Sequence, residues 1–204
     1  MTGDLKRELE AHRALAAQMD ALLPAIETVA DAMADALARG GRVIVFGNGG
    51  SAADAQHLAA ELLGRARRER DPLPALALAS DAPTLTALGN DYGFAEVFAR
   101  QVRAHARAGD IVVGISTTGV SENVVRGLTA GNDRAAVSVL LTGGDGGAAA
   151  AVARHAILVP SAVTARVQEM HVLVIHLLCE RIDDRLIGVI GQRSEPASPS
   201  PHPQ

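Results

Sequence analysis

The chain has 204 residues and a formal net charge of −4, which leaves room for one domain with a sizeable core and excludes the basic excess of a general nucleic-acid binder. Apolar residues make up 48% but aromatic residues only 2%, so the core must be aliphatic and alanine-rich. The single cysteine, Cys179, excludes an internal disulfide; with a polar N-terminus and no bilayer-length apolar run, the expectation is a cytoplasmic protein with no membrane partner.

Residues 4–39 read as two helices, with Pro24 as a break or first-turn residue. "RVIVFG" (42–47) is a β-branched run ending in glycine, a buried strand. Residues 51–63 read as a helix, and the basic run "RARRER" (65–70) as its solvated end. "PALALA" (74–79) is a second strand; 82–88 and 94–107 are helical. "DIVVGIS" (110–116), "AVSVLLT" (136–142) and "HAILVP" (155–160) are further strands, with a helix over 121–130 between the first two. A long helix covers 164–186, and the Pro/Ser-rich end of the chain reads as a disordered tail. The expected organisation is one domain over 1–190 and a tail over 191–204. Strands alternating with helices predict an α/β fold, a parallel sheet covered on both faces. Ligands of such sheets bind beyond the carboxyl ends of the strands.

Three glycine- or hydroxyl-rich segments follow strands. "GNGGS" (47–51) offers unobstructed backbone N–H groups where a helix begins, a place that favours an anion. It also reads as a plain tight turn. It is not a Walker loop, since no Lys-Ser/Thr follows, and the dinucleotide pattern G-x-G-x-x-G is absent. "STTGVS" (116–121) brings Ser116, Thr117, Thr118 and Ser121 to the start of another helix. One hydroxyl would suffice as an N-cap; four fit a phosphate, each donating to an anionic oxygen. "GGDGG" (143–147) is the third.

His57 and Glu61 stand four apart and share a helix face, either to chelate a divalent ion or as an ordinary His–Glu contact. "ARVQEMHVLVIHLLCE" carries Gln168, His171 and His176 in an otherwise apolar helix. His176 reads either as a functional group or as a core histidine satisfied by a backbone carbonyl. Gln168 and His176 are separated by a rise of about 12 Å, so a common ion requires Gln168 to reach over from the helix start or the two to come from different subunits. His12, His105, His155 and His202 lack such context and read as surface or loop residues.

In order and separation, "GNGGSAADAQHLAAELLGR", "GND" (89–91), "GISTTGVSENV" (114–124), "LTGGDGG" (141–147) and "RVQEMHVLVIHLLCERID" (166–183) resemble the sugar isomerase (SIS) domain proteins and, within them, the sedoheptulose 7-phosphate isomerases. The resemblance covers about residues 4–186. It implies a three-layer, doubly wound, five-stranded flavodoxin-like sheet with an N-terminal helical arm, and a homotetramer with interfacial sites. It implies one zinc ion per subunit on His57, Glu61, Gln168 and His176. Substrate contacts would fall on Asn48, Gly49, Gly50, Glu61, Asn90, Asp91, Ser116, Thr117, Thr118, Ser121 and Gln168, with Ser51 placed to help. The implied reaction, the first step toward nucleotide-activated heptose, moves a proton from C1 to C2 of a ketose phosphate through an enediol. Glu61 suits the base and His176 the acid.

The chain departs from the family's pattern at Thr118, where serine is common, at Val120, where asparagine is common, and at Ala165, where some members have an aspartate. It also resembles a non-catalytic branch that associates with the bacterial replication initiator. That branch lacks counterparts of Glu61 and His176, and this chain keeps both.

Overall fold

The structure, a computed structural model, describes residues 4–193. Helix α1 (Leu5–Ala16) is capped by Asp4, whose Oδ1 accepts the Lys6 N–H at 3.1 Å. A 3₁₀ turn over Met19–Leu22 leads into α2 (Leu23–Ala38), with Pro24 in the first turn, where its missing N–H costs nothing. Five parallel strands follow: β1 (Val43–Gly47), β2 (Ala75–Ala77), β3 (Ile111–Ser116), β4 (Val137–Gly143) and β5 (His155–Val159), in the order β2-β1-β3-β4-β5. This is the flavodoxin-like order, and its direction reverses between β1 and β3.

Strand residues alternate between two cores. Val43, Val45, Ile111, Val113 and Ile115 face one side, with α1, α2, α3 (Gly50–Leu63) and α8 (Thr164–Arg193). Ile44, Phe46, Val112 and Leu140 face the other, covered by α4 (Ala82–Tyr92), α5 (Val97–His105), α6 (Glu122–Asp133) and α7 (Gly147–Val152). Phe46 stacks on Phe98 at 4.9 Å in this second core. Leu58 and Leu62 anchor α3 in the first core. Each contributes about 1.5–3 kcal/mol on burial, which holds the opposite, polar face of α3 in place. Cys179 is a buried free thiol, pushed up to about 12 chiefly by burial.

The elements depart from expectation at their ends. β2 is three residues long, an edge strand entered from Pro74. Helix α4 runs on to Tyr92, where Gly93 at φ 82° stops it. The short α7 arises within a segment that reads only as a glycine-rich loop. Helix α8 continues to Arg193, so 191–193 belong to it and not to the tail. The remaining tail, 194–204 with His202, and residues 1–3 lie outside the described residues. The run 65–70 is not a helix end: α3 stops at Gly64, whose N–H donates to the Ala60 carbonyl, and the arginines follow outside any helix. It is solvated only in part, because Arg70 is buried against Asp183.

Candidate active site

The loops after β1 and β3 meet where the strand order reverses. Asn48 and Asn123 tie them together: each side-chain amide donates to the other's oxygen, at 2.9 and 2.8 Å. The glycines between β1 and α3 have separate causes. Gly49 sits at φ 57°, ψ −121°, a conformation a side chain would strain. Gly50 is forced by close approach, since a Cβ there would lie 2.2 Å from Nε2 of Gln168. The turn brings α3 in under the amide of Gln168.

The hydroxyls of the β3–α6 loop gather beside it. Ser116, Thr117, Thr118 and Ser121 line a cavity of about 180 Å³ together with Asn48, Ser51, Thr164 and Gln168. Ser116 Oγ accepts the Gly119 N–H at 3.1 Å and lies 3.4 Å from Ser121 Oγ. Ser121 occupies the N-cap of α6 but makes no side-chain cap bond. Its hydroxyl is therefore directed to the cavity and not spent on capping. Two helices, α3 and α6, begin at this cavity, so their N-terminal dipoles favour an anion there.

About two turns into α3, on its polar face, lies a second group. His57 Nε2 is 3.3 Å from Glu61 Oε1, and His176 Nε2, from α8, is 3.2 Å from His57 Nε2. One ligand atom from each of the three lies within 4.8 Å of the others. Ligands on a tetrahedral zinc, with bonds of about 2.0–2.1 Å, are spaced about 3.3 Å apart. The His–Glu and His–His spacings match that edge, and N/O donors suit zinc, so the three residues fit the ion. His176 is exposed, which removes the core-histidine reading; the core histidine of α8 is His171, completely buried. Glu61 and His176 border a cavity of about 250 Å³ with Ala66, Arg67 and Glu180. Asp54, one turn before His57, is buried; burial pushes its carboxyl above the ordinary range, with the charge of His57 acting the other way.

Within one chain the expected residues fall into separate places. Gln168 lines the hydroxyl cavity, with its amide close to Gly50. Asn90 and Asp91 lie outside both cavities, on the exposed last turn of α4, where Asn90 Nδ2 donates to Asp91 Oδ1 at 2.8 Å. Ala165 is exposed beside Thr164 and lines neither cavity, and Val120 is 66% exposed. Sequence reasoning missed Asn123 and Thr164. A polar residue in the first turn of α6 was the available signal for Asn123; its mate, 75 residues away, was not. His12, read as a surface residue, pairs through Nδ1 with Glu169 Oε2 at 2.7 Å and joins α1 to α8.

Residues 9–143 match the SIS domain family. The chain is 52% identical over 159 residues to the phosphoheptose isomerase of Aquifex aeolicus, covering 78% of this chain and 83% of that one. It is 47% identical over 189 residues to that of Geotalea daltonii, covering 92% and 98%. Among solved structures it resembles a phosphoheptose isomerase from Francisella tularensis, with a TM-score of 0.87, 40% identity and coverage of 90% and 100%. The enzyme GmhA from Neisseria gonorrhoeae follows the same course, with a TM-score of 0.81, 43% identity and coverage of 88% and 99%. With its sheet order, its paired loops and near full-length identity to these enzymes, the chain belongs to the SIS domain family and, within it, to the phosphoheptose isomerases.

Proposed function

We propose that the chain is an aldose–ketose isomerase that converts D-sedoheptulose 7-phosphate to D-glycero-D-manno-heptopyranose 7-phosphate, or to a related heptose 7-phosphate epimer. The observation that carries this reading is the meeting of a carboxylate and two imidazoles on α3 and α8, with a hydroxyl-lined cavity at the start of the same α3. Ser116, Thr117, Thr118 and Ser121, with Asn48, Gly49, Gly50 and Ser51, take the 7-phosphate. Glu61 removes the C1 proton, and His176 moves a proton on and off the sugar oxygens. A general base of this kind contributes about 10²–10⁴-fold.

His57, Glu61 and His176 would hold one zinc ion per subunit. Bound there, zinc acts as a Lewis acid toward the carbonyl and hydroxyl oxygens of the sugar. Gln168 would be a fourth ligand, and Asn90 and Asp91 complete the site from another subunit of a homotetramer. Support for this comes from Asn90 and Asp91, which line neither cavity of their own chain. Closed symmetry favours such an assembly, and light scattering at micromolar concentration reads it. A cytoplasmic location agrees with the phosphorylated substrate, and among the described residues no helix is long and apolar enough to cross a membrane. A non-catalytic SIS module would have no use for the convergent His57, Glu61 and His176. Incubation of purified protein with sedoheptulose 7-phosphate, followed by NMR of the product, tests activity and C2 stereochemistry together. Unchanged substrate would overturn the reading in favour of a binding module.

A further inference from the structure

The basic run after α3 hides one arginine from solvent. The side chains of Arg65, Arg67 and Arg68 are 66%, 74% and 56% exposed; that of Arg70 is 3% exposed, and that of its partner Asp183 is 2%. Arg70 Nε donates to Asp183 Oδ1 at 2.6 Å. Nη2 donates to the Glu61 carbonyl at 2.9 Å, and Nη1 to the carbonyls of Leu62 at 2.9 Å and Gly64 at 3.2 Å. These carbonyls close the last turn of α3, the groups a helix leaves without partners of its own. One of them belongs to Glu61 itself.

Asp183 lies seven residues after His176, two turns along the same face of α8. One buried guanidinium therefore fixes the backbone of Glu61 and the helix that carries His176. No other contact among the described residues joins the end of α3 to α8 through buried charge. Lysine could keep the charge but not the planar fork that serves several carbonyls and a carboxylate together.

We infer that Arg70 and Asp183 form a positioning pair for the His57–Glu61–His176 centre. The pair touches neither substrate nor metal and acts by holding the two ligand-bearing helices at a fixed separation. The inference rests on the reading of that centre as a metal and proton-transfer site.

The test uses Co²⁺ as probe, titrated into metal-free full-length protein and followed by its visible absorption, alongside steady-state kinetics on sedoheptulose 7-phosphate. Arg70→Lys is expected to weaken Co²⁺ binding about 10–100-fold, as loss of an outer-shell support does. It should lower kcat at least ~10-fold and leave KM within about twofold, since the hydroxyl cavity is elsewhere. Asp183→Asn, an isosteric change, should move the same readings in the same direction. Arg181→Ala removes the Asp31 ion pair that joins α2 to α8; it should keep wild-type Co²⁺ affinity and kcat. Folded Arg70→Lys and Asp183→Asn variants with wild-type Co²⁺ affinity and kcat, whatever their melting temperature, would overturn the inference. So would failure of both to fold, because the pair would then be a folding determinant only. A wild type that binds no Co²⁺ would overturn the metal reading itself, a distinguishable result.

Discussion

His171 is a titratable group sealed into the first core with nothing to bond. It is fully buried on α8, and neither ring nitrogen has a hydrogen-bond partner. Burial pushes its pKa from the ordinary 6.5 down to about 4; the Thr142 backbone pulls the other way without reaching hydrogen-bond geometry. Between those two values the unfolded chain binds a proton that the folded chain refuses. Stability is therefore complete above the ordinary value and is lost as pH falls toward 4. From pH 7 to pH 5 the loss from this one residue is about 2 kcal/mol. His171→Leu removes the titration, and since no bond is broken the change should cost little at pH 7. Urea denaturation of both proteins at pH 7 and pH 5, in chelator and at one protein concentration, reads the effect. The wild type should lose about 2 kcal/mol more than the variant. Equal losses would refute the buried neutral imidazole.

Three further substitutions separate the parts of the site. Ser121→Ala should raise KM for the phosphosugar and leave stability alone, because Ser121 makes no cap bond; each lost charge-assisted bond is worth about 1.5–3 kcal/mol. Ser116→Ala should raise KM and also lower the melting temperature, since its oxygen accepts the Gly119 N–H; steady-state kinetics and thermal melts on the same preparations check both. Gly50→Ala should displace Gln168, whose Nε2 would lie 2.2 Å from the new Cβ. The expected result, read by steady-state kinetics, is a raised KM for the phosphosugar.

The layered sheet was legible because its signals are local. β-branched runs such as "DIVVGIS" gave the strands, and the glycines and hydroxyls placed after them marked the ligand end. His57 and Glu61 were legible as an i, i+4 pair. What was not legible depends on contacts far apart in sequence. Arg70 looks like its exposed neighbours until Asp183, 113 residues later, comes beside it. His171 and His176 sit in similar apolar surroundings in the sequence, yet one is completely buried and the other exposed. A helix of 30 residues changes neighbours along its length, so periodicity alone could not say which histidine met α3. The rise of about 12 Å between Gln168 and His176 left two arrangements open, a reach from the helix start or a second subunit; that Gln168 lies close to Gly50 depends on a contact more than 100 residues apart.

The role of Glu61 as the base is tested most directly by solvent-deuterium exchange at C1 of sedoheptulose 7-phosphate. Glu61→Gln keeps the shape of the side chain and can still offer an oxygen to a metal, but it cannot accept a proton. The wild type should exchange the C1 proton. Glu61→Gln should fold, bind the sugar, lose at least ~100-fold in kcat and fail to exchange. His176→Gln should also lose kcat far more than it changes binding. Exchange by Glu61→Gln at the wild-type rate would contradict the assignment, reduce Glu61 to a ligand, and move the base to His176 or Asp91.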